Sequence, residues 1–152
     1  MKLAFIVSSY NAFVTDRLEA GGRARALEAG MAEADMATFY VPGAFELPQA
    51  AERVAESGKW QAIVCLGCLI KGETPHFDFI AQSVADGITR AAQATGVPIA
   101  FGVLTTNSAE EALARAGDGP TNKGREATEA ALSMAALYAS IDHAADRAAT
   151  RA

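Results

Sequence analysis

Residues 62–79 read AIVCLGCLIKGETPHFDF, and this stretch decides the fold. Its first part, residues 62–66, is a continuous apolar run whose length and composition predict a buried strand. Residues 77–95 then carry apolar side chains at helical spacing, so a helix follows the strand after a polar loop. A buried strand followed by a helix is the unit of a parallel α/β sheet, in which ligands bind at the carboxyl ends of the strands.

The polar loop, residues 67–76, contains Thr74, Pro75 and His76. Thr-Pro directly before a helical pattern predicts an N-cap followed by proline in the first turn. Free N–H groups at a helix start attract anions such as phosphate, and an imidazole beside them can exchange protons near neutral pH. The same spacing is equally typical of a capped helix with a solvated histidine, so the residues alone leave both interpretations open.

The rest of the chain repeats this pattern of apolar run and helical spacing. Further strands are predicted at residues 2–8, 36–41 and 99–104, and further helices at residues 13–30, 47–55, 109–117 and 127–141. Ser108 followed by Glu111 predicts a capping box at the start of the fourth helix. Four strands alternating with helices predict an α/β fold of the flavodoxin-like type, a three-layer αβα sandwich around a four-stranded parallel sheet.

Composition and charge narrow the class of protein. Of the 152 residues, 51% are hydrophobic and 20% are charged, which is typical of a globular domain. The net charge of −5 argues against a binder of nucleic acid or of acidic membranes. No linker or composition break divides residues 1–152, so we expect one domain whose residues 143–152 form a frayed tail. The chain enters its first strand without the anatomy of a signal peptide, so we expect a cytoplasmic protein.

The two cysteines, Cys65 and Cys68, form a Cys-x-x-Cys sequence. Redox pairs of this kind sit at a helix start, whereas Cys65 lies in a predicted strand, where residues three apart point to opposite faces. We therefore expect neither redox nor metal use, with Cys65 in the core and Cys68 lining the loop. The two histidines, His76 and His143, are too isolated to predict a metal site.

Aromatic and polar residues follow the other predicted strands at the same edge of the sheet. Tyr10 follows the first strand, Phe45 and Glu46 follow the second, and residues 105–107 follow the fourth. Rings that stack and a carboxylate that accepts from N–H groups suit a flat, hydrogen-bonding heterocycle. Alternatively, Phe45 belongs to the core, and Glu46 is an ordinary acidic residue in a first helical turn.

Arg115 and Lys123 are the basic candidates for binding a phosphate. Most arginines on helices are solvated, so the position of Arg115 alone is weak evidence that it binds a ligand. Residues 117–124 lack the Gly-Lys-Ser/Thr ending of a Walker loop, and no Gly-x-Gly-x-x-Gly follows the first strand. The familiar nucleotide-binding motifs are therefore excluded.

Several segments together carry a resemblance to a known family. In chain order they are SYN at residues 9–11, VPGAFELP at 41–48, GCLIKGETPHFDF at 67–79, PIAFGVLTTN at 98–107, RAG at 115–117 and NKG at 122–124. Their order and spacing across residues 2–138 resemble the lumazine synthases, enzymes of riboflavin biosynthesis. Such a set of ordered segments is far more specific than any single motif.

The resemblance implies a transferase that needs no cofactor. It would condense 5-amino-6-(D-ribitylamino)uracil with 3,4-dihydroxy-2-butanone 4-phosphate. An imine would form, phosphate would be eliminated, and the ring would close to 6,7-dimethyl-8-ribityllumazine. His76 is implied as the proton-transfer residue, with Arg115 and Lys123 as further catalytic residues.

The resemblance also implies the residues that hold the two substrates. The implied substrate-binding residues are Tyr10, Asn11, Ala44, Phe45, Glu46, Cys68, Leu69, Ile70, Glu73, Thr74, Phe101 and Arg115. Within this set, Tyr10 would stack on the pyrimidine, and Glu73, Thr74 and Arg115 would hold the butanone phosphate. Phe101 would come from a neighbouring subunit, because the family assembles as homopentamers or as shells of pentamers. Riboflavin synthase is a further implied partner.

Two departures from the family pattern stand out. Ser9-Tyr10 replaces the usual Arg-Phe pair, so a hydroxyl is added to the ring that should stack. The chain also begins almost at the first sheet strand, whereas many members start with a segment that adds a strand to a neighbour. We therefore expect at least a pentamer, with the shell left open.

Two rival interpretations remain at this point. A non-catalytic flavin- or lumazine-binding protein on the same scaffold would keep Tyr10 and Phe45 but could lose His76 and Arg115. A flavodoxin-like signalling or electron-transfer domain would need a phosphate loop after the first strand or an acidic cluster at the strand ends. The chain has His76 and Arg115 and lacks both of the latter features.

Overall fold

The sheet of the computed structural model, which describes residues 1–152, has four parallel strands in the order β2-β1-β3-β4. The strands are β1 (Leu3–Ser8), β2 (Met36–Val41), β3 (Ala62–Ile70) and β4 (Ile99–Thr106). The helices are α1 (Ala12–Glu28), α2 (Leu47–Glu56), α3 (His76–Thr95), α4 (Ala109–Ala114) and α5 (Lys123–Arg151). Short 3-10 helices at Glu33–Asp35 and Ala44–Glu46 precede β2 and α2.

The core divides into two layers, one on each face of the sheet. Leu3, Phe5 and Val7 of β1 point toward α1 and α5, whereas Ala4 and Ile6 point toward α2 and α3. This alternation follows from the two-residue period of an extended chain, and β1 is buried along its whole length because strands flank it on both sides. The predicted three-layer α/β sandwich with a four-stranded parallel sheet is confirmed.

Strands β3 and β4 both run further than their apolar runs predicted. Leu69 pairs with Thr105 and Ile70 with Thr106, and the N–H of Lys71 donates to the carbonyl of Thr106 at 2.8 Å. The two strands pair along these added residues, and Thr105 and Thr106 belong to β4 because backbone pairing does not require apolar side chains.

The lengthened strand corrects one expectation about the cysteines. Cys68 lies within β3 and is 1% exposed, so it does not line the loop. Cys65 and Cys68 belong to the core layers on opposite faces of the sheet, as their spacing predicted.

The start of α3 differs from the expected cap. The helix begins at His76, Pro75 occupies the N-cap position, and no side chain, including that of Thr74, caps it. The predicted cap of α4 is confirmed, since Ser108 Oγ accepts from the Glu111 N–H at 3.1 Å. The Glu111 carboxylate, however, accepts from the N–H of Asn107 rather than from that of Ser108.

Helix α5 extends to Arg151, so residues 143–151 are helical rather than frayed. Every residue from 136 onward is exposed, and the helix continues because this segment is rich in alanine and contains no glycine or proline.

None of the five helices combines the length and apolar character required to cross a membrane.

Candidate active site

A cleft of about 520 Å³ opens where β1, β2 and β3 end, and we call it the first cleft. The chain winds outward from β1 in both directions, to β2 on one side and to β3 on the other. Open α/β sheets bind ligands at such a reversal of strand order. The sequence-predicted residues that line the first cleft are Tyr10, Asn11, Ala44, Phe45, Glu46, Leu69, Ile70, Thr74 and His76.

Aromatic rings, among them those of Tyr10 and Phe45, and one carboxylate line this cleft. Tyr10 is 70% exposed and Phe45 is 57% exposed, so the alternative of Phe45 as a core residue is wrong. Glu46 is the residue before α2, but its side chain makes no capping hydrogen bond. Its carboxylate is therefore available to a ligand, and the rings offer apolar faces beside it.

Asn11 ties the turn after β1 to a neighbouring strand. It is the only residue other than glycine with a positive φ, at φ 60° and ψ 43°. Its side-chain Nδ2 donates to the carbonyl of Cys68 at 2.8 Å, while the N–H of Tyr10 donates to the carbonyl of Pro42 at 3.2 Å. A left-handed conformation costs an ordinary residue about 1–2 kcal/mol, and these bonds hold it in place.

The loop between β3 and α3 provides the remaining wall of the first cleft. His76 is exposed at the first position of α3, and Thr74 lies two residues before it. Glu73 is exposed on the same loop but does not line the cleft. The site thus combines a flat apolar surface with an imidazole at a helix start.

The cysteines contribute no ionised sulfur to this region. Burial raises the pKa of the Cys65 thiol to about 12 and that of the Cys68 thiol to about 11. Both groups therefore stay protonated at neutral pH, which makes them poor nucleophiles and poor metal ligands. The side chain of Cys68 lies in the core, and only its carbonyl reaches toward the site, through Asn11.

A second cleft of about 350 Å³ lies between β4 and α5 and contains three more of the predicted residues, Phe101, Arg115 and Lys123. Phe101 is 47% exposed. Arg115 follows α4, and its Nη1 donates to the carbonyl of Glu111 at 2.9 Å. Lys123 Nζ forms an ion pair with Glu126 at 2.6 Å. The two clefts have no lining residue in common, so one chain keeps the imidazole and the basic pair apart.

Sequence reasoning missed several residues that line the clefts. Gly43, Gly72, Phe77 and Ile80 line the first cleft, and Glu126 lines the second. Phe77 and Ile80 lie three residues apart on α3, within the segment whose helical spacing predicts an apolar face, and in the structure both line the cleft. Glu126 follows Lys123 by three residues, a spacing that brings side chains together on a helix.

Comparison with known proteins identifies the family. Residues 1–139 of the chain match the family described as 6,7-dimethyl-8-ribityllumazine synthase, and the match includes every residue that lines either cleft. Residues 140–152, the exposed end of α5, lie outside it. Because the match spans nearly the whole chain, the protein belongs to the 6,7-dimethyl-8-ribityllumazine synthase family, the transferases of that name in riboflavin biosynthesis.

Proposed function

We propose that the protein condenses 5-amino-6-(D-ribitylamino)uracil with 3,4-dihydroxy-2-butanone 4-phosphate, releasing 6,7-dimethyl-8-ribityllumazine, phosphate and water. The observation that carries the proposal is the presence of two unlike clefts on one chain. One has aromatic rings with a carboxylate and an imidazole, and the other has an arginine with a lysine. Each cleft matches the chemistry of one substrate of the family.

The first cleft suits the ribitylaminouracil. A pyrimidine ring can lie against Phe45 and Tyr10, whose faces are free. The carboxylate of Glu46 accepts hydrogen bonds from N–H or hydroxyl groups of the ligand. Asn11 holds Tyr10 at the edge of the sheet, and Ala44, Leu69 and Ile70 complete the apolar floor.

The second cleft suits the phosphate of the butanone. Arg115 uses one N–H on the Glu111 carbonyl and keeps its other donors for an anion. Guanidinium and phosphate form bidentate, charge-assisted hydrogen bonds, which are stronger than neutral ones. Lys123 supplies a second positive charge. In the oligomer that we propose, Thr74 and Glu73 reach this phosphate from the loop before α3 of a neighbouring protomer.

His76 transfers protons between the two substrates. The 5-amine of the uracil attacks the ketone of the butanone, and an imine forms with loss of one water. A proton is removed from the carbon beside the imine, the C–O bond to the phosphate breaks, and the resulting enol becomes a ketone. The ribityl-bearing amine then attacks that ketone, and the ring closes with loss of a second water. Each step moves a proton to or from nitrogen, carbon or oxygen, and an imidazole can both give and accept protons near neutral pH. Since both substrates bring their own reactive groups, correct positioning supplies much of the acceleration, up to about 7–11 kcal/mol in favourable cases.

The complete site needs two subunits in this proposal. His76 and Arg115 belong to clefts with no shared residue within one chain, and members of this family typically assemble as oligomers. We propose that the second cleft of one protomer, with Phe101 on its rim, closes over the first cleft of a neighbour in a pentamer. A cytoplasmic location, shells of pentamers and an association with riboflavin synthase remain predictions.

The direct test is an absorbance assay for lumazine formation from the two purified substrates. We expect product to accumulate with release of one phosphate per turnover and without any added cofactor. Tight binding of the product without turnover would instead indicate the non-catalytic binding protein, and would contradict the proposal.

The shared site is tested by joint refolding of two impaired variants, His76→Ala and Arg115→Ala, with activity assayed at a butanone phosphate concentration far below the KM of Arg115→Ala. Neither variant alone has a complete site, but a mixed oligomer contains interfaces where both halves are intact. Random mixing restores about one quarter of the wild-type sites, because half of the protomers have an intact first cleft and half of their neighbours have an intact second cleft. Absence of any recovery in oligomers shown to be mixed would indicate a site within one chain.

A further inference from the structure

A buried asparagine lies behind the basic pair of the second cleft. Asn122 is 2% exposed, and its side chain makes four hydrogen bonds. Its Oδ1 accepts from the N–H groups of Gly124 at 2.8 Å and Arg125 at 3.2 Å, which caps α5. Its Nδ2 donates to the carbonyls of Gly117 at 2.9 Å and Arg17 at 3.2 Å. One side chain thus joins α1, the loop after α4 and the start of α5.

These bonds fix the backbone that carries both basic residues. Arg115 lies two residues before Gly117, and Lys123 directly follows Asn122. The N–H of Lys123 also donates to the carbonyl of Arg115 at 2.8 Å, so the two residues are connected across the loop. The position of the guanidinium relative to the ammonium group therefore depends on the loop that Asn122 closes.

The surroundings of Asn122 are shaped to admit its side chain and little else. A methyl group added at Gly21 would overlap the side-chain atoms of Asn122, and one added at Gly124 would overlap the backbone of Leu18. The absence of a Cβ at these two glycines lets α1 and the start of α5 approach closely around the amide. A buried amide whose four bonds are all made ranks among the most geometrically specific contacts in a protein.

We infer that Asn122 is a positioning residue for phosphate binding, which it supports by holding Arg115 and Lys123 at a fixed separation. The inference rests on the proposed function, because that function assigns those two residues to the phosphate of the butanone. Asn122 itself is buried and does not line the second cleft. Its effect should therefore be confined to the substrate held by the basic pair.

The principal test variant is Asn122→Ser. Serine ranks with asparagine as an N-cap and leaves the net charge unchanged, but it has no amide to satisfy the carbonyls of Arg17 and Gly117. Gly21→Ala is the second variant, because it displaces the Asn122 amide without altering it. Thr128→Val is the matched control: it changes a buried side chain on the same helix whose hydroxyl has no hydrogen-bond partner.

Steady-state kinetics of the intact oligomer provide the first measurement. We expect Asn122→Ser and Gly21→Ala to raise KM for the butanone phosphate about tenfold and to leave KM for the uracil within about twofold, since small displacements of binding groups weaken the contact that they make. Thr128→Val should leave both KM values unchanged. An equal rise of both KM values, or no rise, would overturn the inference, as would failure of both test variants to fold while Thr128→Val folds.

Titration calorimetry with inorganic phosphate provides a second measurement that does not depend on turnover. The two test variants should weaken phosphate binding by a similar factor of about ten, and the control should not. If the unaltered protein formed no lumazine, the proposed function would fail, while the phosphate titration would still decide the role of Asn122. Unchanged phosphate affinity in both folded test variants would overturn that role.

Discussion

The two clefts differ in whether their ligand-facing side chains are free or already engaged in contacts within the chain. In the first cleft, the turn at Tyr10 and Asn11 is bonded to the chain after β2 and to β3, and the aromatic faces are free. In the second cleft the charged groups are already engaged, Lys123 with Glu126 and Arg115 with a carbonyl of its own helix. The first cleft offers an open surface, whereas the second must exchange existing contacts for those of its ligand.

This difference suits the first cleft to binding a neutral ring and the second cleft to binding an anion. When a flat ligand covers the apolar wall of the first cleft, apolar surface is removed from water, and this lowers the free energy without breaking any existing contact. An exposed ion pair such as Lys123 with Glu126 is worth less than about 1 kcal/mol, so a phosphate can replace the carboxylate at little cost. The comparison therefore predicts separable effects of mutations on the two substrates.

The largest expected effect comes from His76, the only imidazole in either cleft. His76→Ala should lower kcat by about a hundredfold while KM for the uracil changes little, because general acid–base catalysis typically contributes that much or more. His143→Ala, which removes the other histidine from an exposed position on α5, is the control and should leave kcat unchanged. An unchanged kcat in His76→Ala would remove its catalytic role.

The next largest effect is expected for Arg115, whose substitution should change the KM of one substrate and not that of the other. Arg115→Ala should raise KM for the butanone phosphate about thirtyfold, because hydrogen bonds to charged groups contribute about 1.5–3 kcal/mol. KM for the uracil should stay within about twofold, since the proposed function assigns that substrate to the other cleft. Arg147→Ala, at an exposed position of α5, provides a charge-matched control. Equal losses for both substrates would contradict the assignment of two clefts to two substrates.

Two substitutions of Asn11 measure how much strain the left-handed turn beside the first cleft retains. Asn11→Gly loses the bond to Cys68, which costs about 1 kcal/mol, but it also removes the Cβ that the left-handed region disfavours. Asn11→Ala loses the same bond and keeps the Cβ, so its free energy of unfolding should be about 1–2 kcal/mol below that of the glycine variant. Urea unfolding of both variants measures the difference. Equal stabilities of the glycine and alanine variants would mean that the turn relaxes and that the strain is not retained.

The smallest effect concerns Glu126, which competes for Lys123 in the second cleft. Glu126→Gln should lower KM for the butanone phosphate about threefold, since the carboxylate both occupies the lysine and repels the phosphate. Glu52→Gln, an exposed glutamate on α2, changes the net charge equally and should have no effect. If KM rose in Glu126→Gln, the carboxylate would be needed to hold Lys123 in place.

Much of the site could be predicted because its residues follow strands in the sequence. Tyr10, Phe45, Glu46 and His76 all leave parallel strands at one edge of the sheet, and the first cleft brings them together. Asn122 carried no such signal, since its four partners lie in three separate segments. A local sequence pattern cannot predict a contact between residues far apart in the chain, and Asn122 and Arg17 are 105 positions apart.

The sequence by itself determined the layers of this protein, because two-residue and helical periods dictate which faces are buried, and its ordered motifs identified the family. Tertiary structure alone decided where β3 ends, since pairing with β4 carries it beyond Leu66 to Ile70 and buries Cys68. Tertiary structure also decided that His76 and Arg115 occupy separate clefts. That separation depends on the order of the strands in space, which places β4 at the far edge of the sheet.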